Sequence, residues 1–262
     1  MSAEGVSNRR GKQVEIEPAW EEPRVLAYLA ENDDPDWVTL QELPAFDHGW
    51  VVYFLQRERF IPLEVIRSIY RNKPLMHSYA VNRAMVRCRY TPVGIAANLL
   101  RLLRWLDLLH CLKEPYLSGN LKHRIERQIV ERFPKMALGE KITLSKQAPR
   151  GLIRHLRMVP DRMVIKALMS NYFFTMDDAL FLANYPRIKP DILLELASNA
   201  RWTQHKQVRL DLLANPKLPP SAVKSLIRGF TEFDMRRLMG RVCLGPSVRG
   251  QLTRILANKP QP

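Results

Sequence analysis

Residues 186–197 read PRIKPDILLELA and residues 216–227 read PKLPPSAVKSLI, and the stretch between them closes in Leu-Leu-Ala-Asn at 212–215. The same phrase returns in RFIPLEVIRSIY (59–70) and RYTPVGIAANLL (89–100). Pro62, Pro92, Pro190 and Pro220 set a common register. Two positions before each proline stands Phe60, Tyr90, Ile188 or Leu218; three after stands Val65, Ile95, Leu193 or Val223; seven after stands Ile69, Leu99, Ala197 or Ile227. Pro149 fits with Leu152 and Leu156, although Gln147 breaks the upstream position. Proline at a helix start loses no hydrogen bond, and apolar residues at i and i+4 share one buried face. A period of about thirty residues with two helices per unit predicts an all-α, right-handed α-solenoid.

Working outward, the pattern places about six helical-hairpin units at 62–91, 92–135, 136–159, 160–189, 190–219 and 220–246, with a last helix near 247–257. Second-layer helices are expected at Ser78–Arg87, Lys122–Arg132, Asp178–Ala183, Lys206–Ala214 and Phe233–Val242. Upstream, 23–60 reads as a helical cap and 61–262 as the repeat domain. Residues 1–22 lack apolar periodicity and read as a disordered acidic arm, with Trp20 set among acids in an untethered tail, a short docking motif or an acidic flap on the chain's own basic surface. Gly94–Leu112 is the most apolar stretch. Arg101, Arg104, Asp107 and His110 interrupt it, so a helix buried among helices is expected rather than a membrane span. With no signal-peptide core at the start, a cytoplasmic protein is expected.

Val208, Arg209, Leu213, Ala214, Asn215, Pro216, Leu218 and Pro219 carry a resemblance, echoed more weakly by Leu182-Ala183-Asn184 and Pro186-Arg187-Ile188. The segment 196–227 resembles the repeat of HEAT-like and leucine-rich-repeat-variant bacterial solenoids. The resemblance covers the C-terminal third well and 60–190 loosely; it implies architecture and not function. One leucine-rich-repeat-variant type carries an N-terminal cysteine cluster for an iron–sulfur centre. Cys88, Cys111 and Cys243 form no such cluster, so no cofactor is carried over.

Chemistry is sparse. The clusters Asp33, Asp34, Asp36 and Asp177, Asp178 sit where helix N-caps are expected. His110, Cys111 and His123 match no zinc spacing, and no nucleotide-loop, dinucleotide or hydrolase motif is present. Neither a metal nor a catalytic residue is expected.

The arginines are the stronger signal. The net charge is +15, from −6 over residues 1–60 and +21 over 61–262. Arg67 and Arg71 are i,i+4, as are Arg83 and Arg87; Arg150, Arg154 and Arg157 align on one helix face; Arg236, Arg237 and Arg241 add a cluster. Arg67 and Arg154 occupy the same place in their repeats, so stacking predicts a cationic stripe. Such a stripe binds an acidic protein or peptide, nucleic acid, or anionic headgroups. Arg201, Trp202 and Lys206 join it, with Trp202 expected exposed in a loop and able to stack on a base.

The leading expectation is a non-enzymatic scaffold whose cationic surface holds an acidic protein or peptide. The alternative is a DNA- or RNA-binding solenoid. Its enzymatic extreme is a HEAT-like DNA glycosylase with Asp107 near Trp105 as the carboxylate. Exchanging Arg150, Arg154 and Arg157 for Glu is expected to abolish anion binding and leave helicity intact.

Overall fold

Proline decides where many of the helices start. In the computed structural model, which describes residues 16–240 and 244–257, Pro62, Pro92 and Pro149 are N-cap residues, whereas Pro190 and Pro220 are the first helical residues. The shared register therefore slides by one position between the two groups. All the described residues form helices, turns or irregular structure, without a strand.

The chain divides into two units, Met1–Ile125 and Glu126–Pro262. The first holds α1 (Glu22–Glu31), α2 (Trp37–Gln41), α3 (His48–Gln56), α4 (Leu63–Arg71), α5 (Lys73–Met76), α6 (Tyr79–Arg87), α7 (Val93–Leu99) and α8 (Trp105–Leu112). The boundary falls within α9 (Gly119–Arg132). The second unit continues with α10 (Leu138–Gln147), α11 (Arg150–Leu156), α12 (Arg162–Met169), α13 (Met176–Asn184), α14 (Pro190–Ser198), α15 (Ala200–Thr203), α16 (Lys206–Ala214), α17 (Pro220–Ile227), α18 (Glu232–Met239) and α19 (Pro246–Ala257).

In the first unit α3 packs on α1 and α6, and α6 on α7 and α8. Helix α1 is held at its C-terminal end by a buried arginine from beyond α3. Arg57 donates to the carbonyls of Leu29 (2.9 Å) and Asn32 (2.7 Å), pairs with Asp33 at 3.0 Å and lies over the Phe54 ring. Cations favour the negative end of a helix, and the last carbonyls have no partner within it. Asp36, as expected of that acidic cluster, caps α2 by accepting from the Val38 and Thr39 amides.

Several sequence expectations change in this unit. Gly94–Leu112 is not one helix: α7 ends in a 3-10 turn at Leu100–Leu102, and α8 starts afresh at Trp105. Phe60 is 64% exposed and Tyr90 half-buried, whereas Ile188 and Leu218 at the same register position are buried. Trp20 is 4% exposed, packed edge-on against Tyr28 and under Arg24, so the end of the expected arm is tethered. Residues 1–15 lie outside the described residues, as do Arg241 and Cys243.

The second unit contains two series of packed helices. In one, α12 packs on α10 and α14, α14 on α17, and α17 on α19; in the other, α13 packs on α16 and α16 on α18. Buried aromatics recur at the turn that leads into each helix of the second series: Phe174, Trp202 and Phe230, 28 residues apart. Phe174 and Trp202 meet edge to face at 5.0 Å.

Two buried asparagines tie helices within a series. Asn171, just past α12, donates to the Ser145 (2.8 Å) and Ala148 (2.9 Å) carbonyls at the end of α10 and accepts from the Phe173 amide. Asn215, at the end of α16, donates to the Ala183 carbonyl at the end of α13 (2.6 Å) and accepts from the Lys217 amide. The asparagine of the Leu-Leu-Ala-Asn phrase thus hydrogen-bonds a carbonyl near the end of α13, the helix before it in the same series. Gly229, at φ 81, ends α17 in the left-handed conformation that favours glycine.

No helix among the described residues is long and apolar enough to cross a membrane. Replacing Asn171 by Ala leaves two buried carbonyls unpaired and is expected to cost about 2 kcal/mol. Urea unfolding followed by circular dichroism checks this as a lowered midpoint with unchanged slope.

Candidate binding face in the second unit

Charge separates along the same boundary as structure. Residues 126–262 carry 24 Lys and Arg against 11 Asp and Glu, a net +13; residues 1–125 carry 17 against 15, a net +2.

Most of the arginines expected to form a free cationic stripe are paired. In the first unit Arg67 bonds Glu64 one turn back (2.8 Å), Arg83 approaches Asp107 at 3.5 Å, and Arg87 pairs with Glu114 through its Nε at 2.9 Å. Arg71 is exposed and lines an open groove with Val38, Glu42 and Lys73. In the second unit Arg150 and Arg157 both bind Asp178, and Lys206 binds Asp234 at 2.8 Å. Arg162 and Lys166 add a further case, since both hold Glu195. Arg154 is exposed and makes no ion pair among the described residues. Arg67 and Arg154 belong to different units.

The charges do mix in sign, mostly between helices, with Arg67–Glu64 and Arg236–Glu232 as pairs within one. Each pair across helices joins residues 21 to 33 positions apart, for example Arg157 with Asp178 and Arg162 with Glu195. Helical periodicity within a single segment cannot reveal such a partner.

Asp178 is the most enclosed of these carboxylates, with no solvent exposure. It stands at the third position of α13 and accepts from the Thr175 amide and hydroxyl, both at 3.0 Å, closing a capping box. Arg157 reaches it at 2.8 Å and Arg150 more closely still. Burial alone pushes its carboxyl up, but the Thr175 and Arg150 hydrogen bonds outweigh that and leave it below the usual aspartate range. Thr231 and Asp234 repeat the box at the start of α18, with Lys206 as the cation. The Lys206 ammonium and the Thr231 hydroxyl lower the Asp234 carboxyl to about 2.

Around Asp178 the surface is both basic and aromatic. The turn between α12 and α13 projects Tyr172, 86% exposed, and Phe173, 48% exposed, edge to face at 5.3 Å. Arg150 donates to the Phe173 carbonyl at 3.4 Å, anchoring the turn to α11. On the other side of Asp178, the Arg157 guanidinium lies 3.8 Å over Phe181, which stacks on Tyr185 at 5.2 Å. A connected series, Tyr172–Phe173–Arg150–Asp178–Arg157–Phe181–Tyr185, therefore runs across one face. Arg154 lies one turn along α11 from Arg150.

Trp202 is not the exposed aromatic. It is 3% exposed beneath Arg201, whose guanidinium sits 4.5 Å over the ring, and it packs against buried Phe174. The 28-residue spacing of Phe174, Trp202 and Phe230 was the sequence signal that assigns Trp202 to the core and leaves Tyr172 and Phe173 outside it. Asp107 accepts the Tyr79 hydroxyl and faces Arg83, so this carboxylate is already engaged. Burial pushes the Cys111 thiol up to about 11. No group of His, Cys, Asp and Glu with metal-binding geometry occurs among the described residues.

Comparison with protein-family models, with curated protein sequences and with solved structures finds no match.

Exchanging Arg150 and Arg157 for Glu would place carboxylates against buried Asp178, so the triple arginine substitution is a test of folding as much as of binding. Asp178→Asn is expected to cost about 3 kcal/mol, because it strips two partly buried guanidinium groups of their counter-charge; thermal or urea unfolding measures it. The pair at Asp234 has a defined pH window. Its folded carboxyl value lies below the ordinary 3.8, so its stabilisation is complete above that value and fades as the pH falls toward about 2. The stability gap between the wild type and Asp234→Asn should be constant near neutrality and shrink across that interval.

Proposed function

We propose that the chain is a cytoplasmic, non-enzymatic adaptor of the HEAT-like α-solenoid kind, whose second unit holds an acidic protein or peptide. The observation that carries this reading is the exposed Tyr172–Phe173 turn, fixed by the Arg150–Asp178–Arg157 clamp in a unit of net charge +13. Rigid, exposed aromatics beside arginine are the side chains that most often anchor protein interfaces. Long-range charge of one sign steers an oppositely charged partner and speeds encounter. The recurring 28-residue spacing and the two series of packed helices support the repeat architecture.

A polypeptide partner fits this surface better than a nucleic acid. Phosphate tracking needs several unpaired cations along one groove, and Arg150, Arg157, Arg162, Lys166 and Lys206 are committed to internal carboxylates.

Fluorescence anisotropy with a labelled acidic peptide, single-stranded RNA and duplex DNA, each across a salt series, separates the readings. The adaptor reading expects the peptide to bind, with Arg154→Gln weakening it about threefold. Tighter binding of either nucleic acid, with a steep salt slope, would contradict it.

A further inference from the structure

Arg150 and Arg157 share Asp178 with the α13 capping box, and Arg154 between them is exposed and makes no ion pair among the described residues. The three arginines that look equivalent in the sequence therefore divide into two that position and one that is free. Arg150 fixes the Phe173 backbone, so the aromatic pair is presented on a braced turn rather than a loose loop. Asn171 braces the same turn from below by accepting from the Phe173 amide while bonded to the end of α10. Phe174, the next residue, plugs into the core against Trp202. Three consecutive aromatics are thus split, one inward and two outward, by an anchored backbone. Met176 at the start of α13 and Met158 just past α11 are also exposed, and methionine adapts to varied apolar shapes.

From this we infer the class of ligand, in an inference that rests on the acidic-partner reading above: an acidic peptide segment with an aromatic residue among its carboxylates. The aromatic packs on Tyr172 and Phe173, and a neighbouring carboxylate meets Arg154. An acidic segment without an aromatic satisfies only the charge. Exposed ring surface on a pre-set turn costs little conformational entropy to bury, so the aromatic supplies the larger share of the specificity.

The test uses the full chain and two short synthetic peptides of equal length. One contains only Asp, Glu and Ser; the other is the same with its central residue replaced by Trp. Anisotropy titrations at low salt are run on the wild type, Tyr172→Ala, Tyr172→Phe and Arg154→Gln, all changes at exposed positions. The wild type should prefer the Trp peptide by about tenfold. Tyr172→Ala should erase that preference and Tyr172→Phe retain it, while Arg154→Gln weakens both peptides alike. Equal binding of the two peptides by the wild type, or a preference that survives in Tyr172→Ala, overturns this inference and leaves the acidic-partner reading standing. Binding of neither peptide, or tighter binding of single-stranded RNA than of both, overturns that reading as well.

Discussion

Helix ends are the constraint on which the rest of the structure depends. Among the described helices only α9 and α19 exceed ten residues. Helices this short are marginal alone and hold together through packing. Each also leaves as many as four amides and four carbonyls without a partner inside the helix, so a chain of many short helices has an unusually large number of such groups. The polar side chains that look functional in the sequence largely serve those ends. Asn171 and Asn215 take carbonyls, Asp178 and Asp234 take amides, and Arg57 takes the carbonyls at the end of α1. The cations then neutralise the buried carboxylates. Arg150, Arg157 and Arg162 are thereby accounted for before any partner is considered.

The repeated proline phrase made the helices legible. Expected helices at Ser78–Arg87 and Lys206–Ala214 fall within two residues of α6 and α16, because apolar spacing is a local signal. What lay further apart was not legible in the same way. Arg150 and Arg157 form a clean one-face pattern, but the carboxylate that consumes them is 28 and 21 residues away. Trp202, with its basic neighbours, looks like a loop aromatic in the sequence, but it lies in α15 and is buried against Phe174. Phe60 differs in the opposite direction, since its register position is buried at Ile188 and Leu218 but exposed at Phe60 and half-buried at Tyr90.

For the proposed function, this redistributes the cationic charge rather than removing it. Net charge still gathers in the second unit. Arg154 and the Tyr172–Phe173 turn are what that unit offers outward from the α11–α13 face, and the clamp around Asp178 holds them in place. One buried carboxylate therefore connects the stability of α13 to the shape of the surface above it. A substitution that loosens the clamp disturbs both at once, which makes exposed residues the informative targets for binding.

The central claim is that Arg150 and Arg157, at the two ends of α11, are bound into the fold. A double-mutant cycle between Arg157 and Asp178, each replaced by Ala and read by equilibrium unfolding, tests it most directly. The account predicts a coupling energy of about 2 kcal/mol, as for side chains joined in one buried network. Additivity to within about 0.5 kcal/mol would contradict it and return Arg157 to the pool of free surface cations.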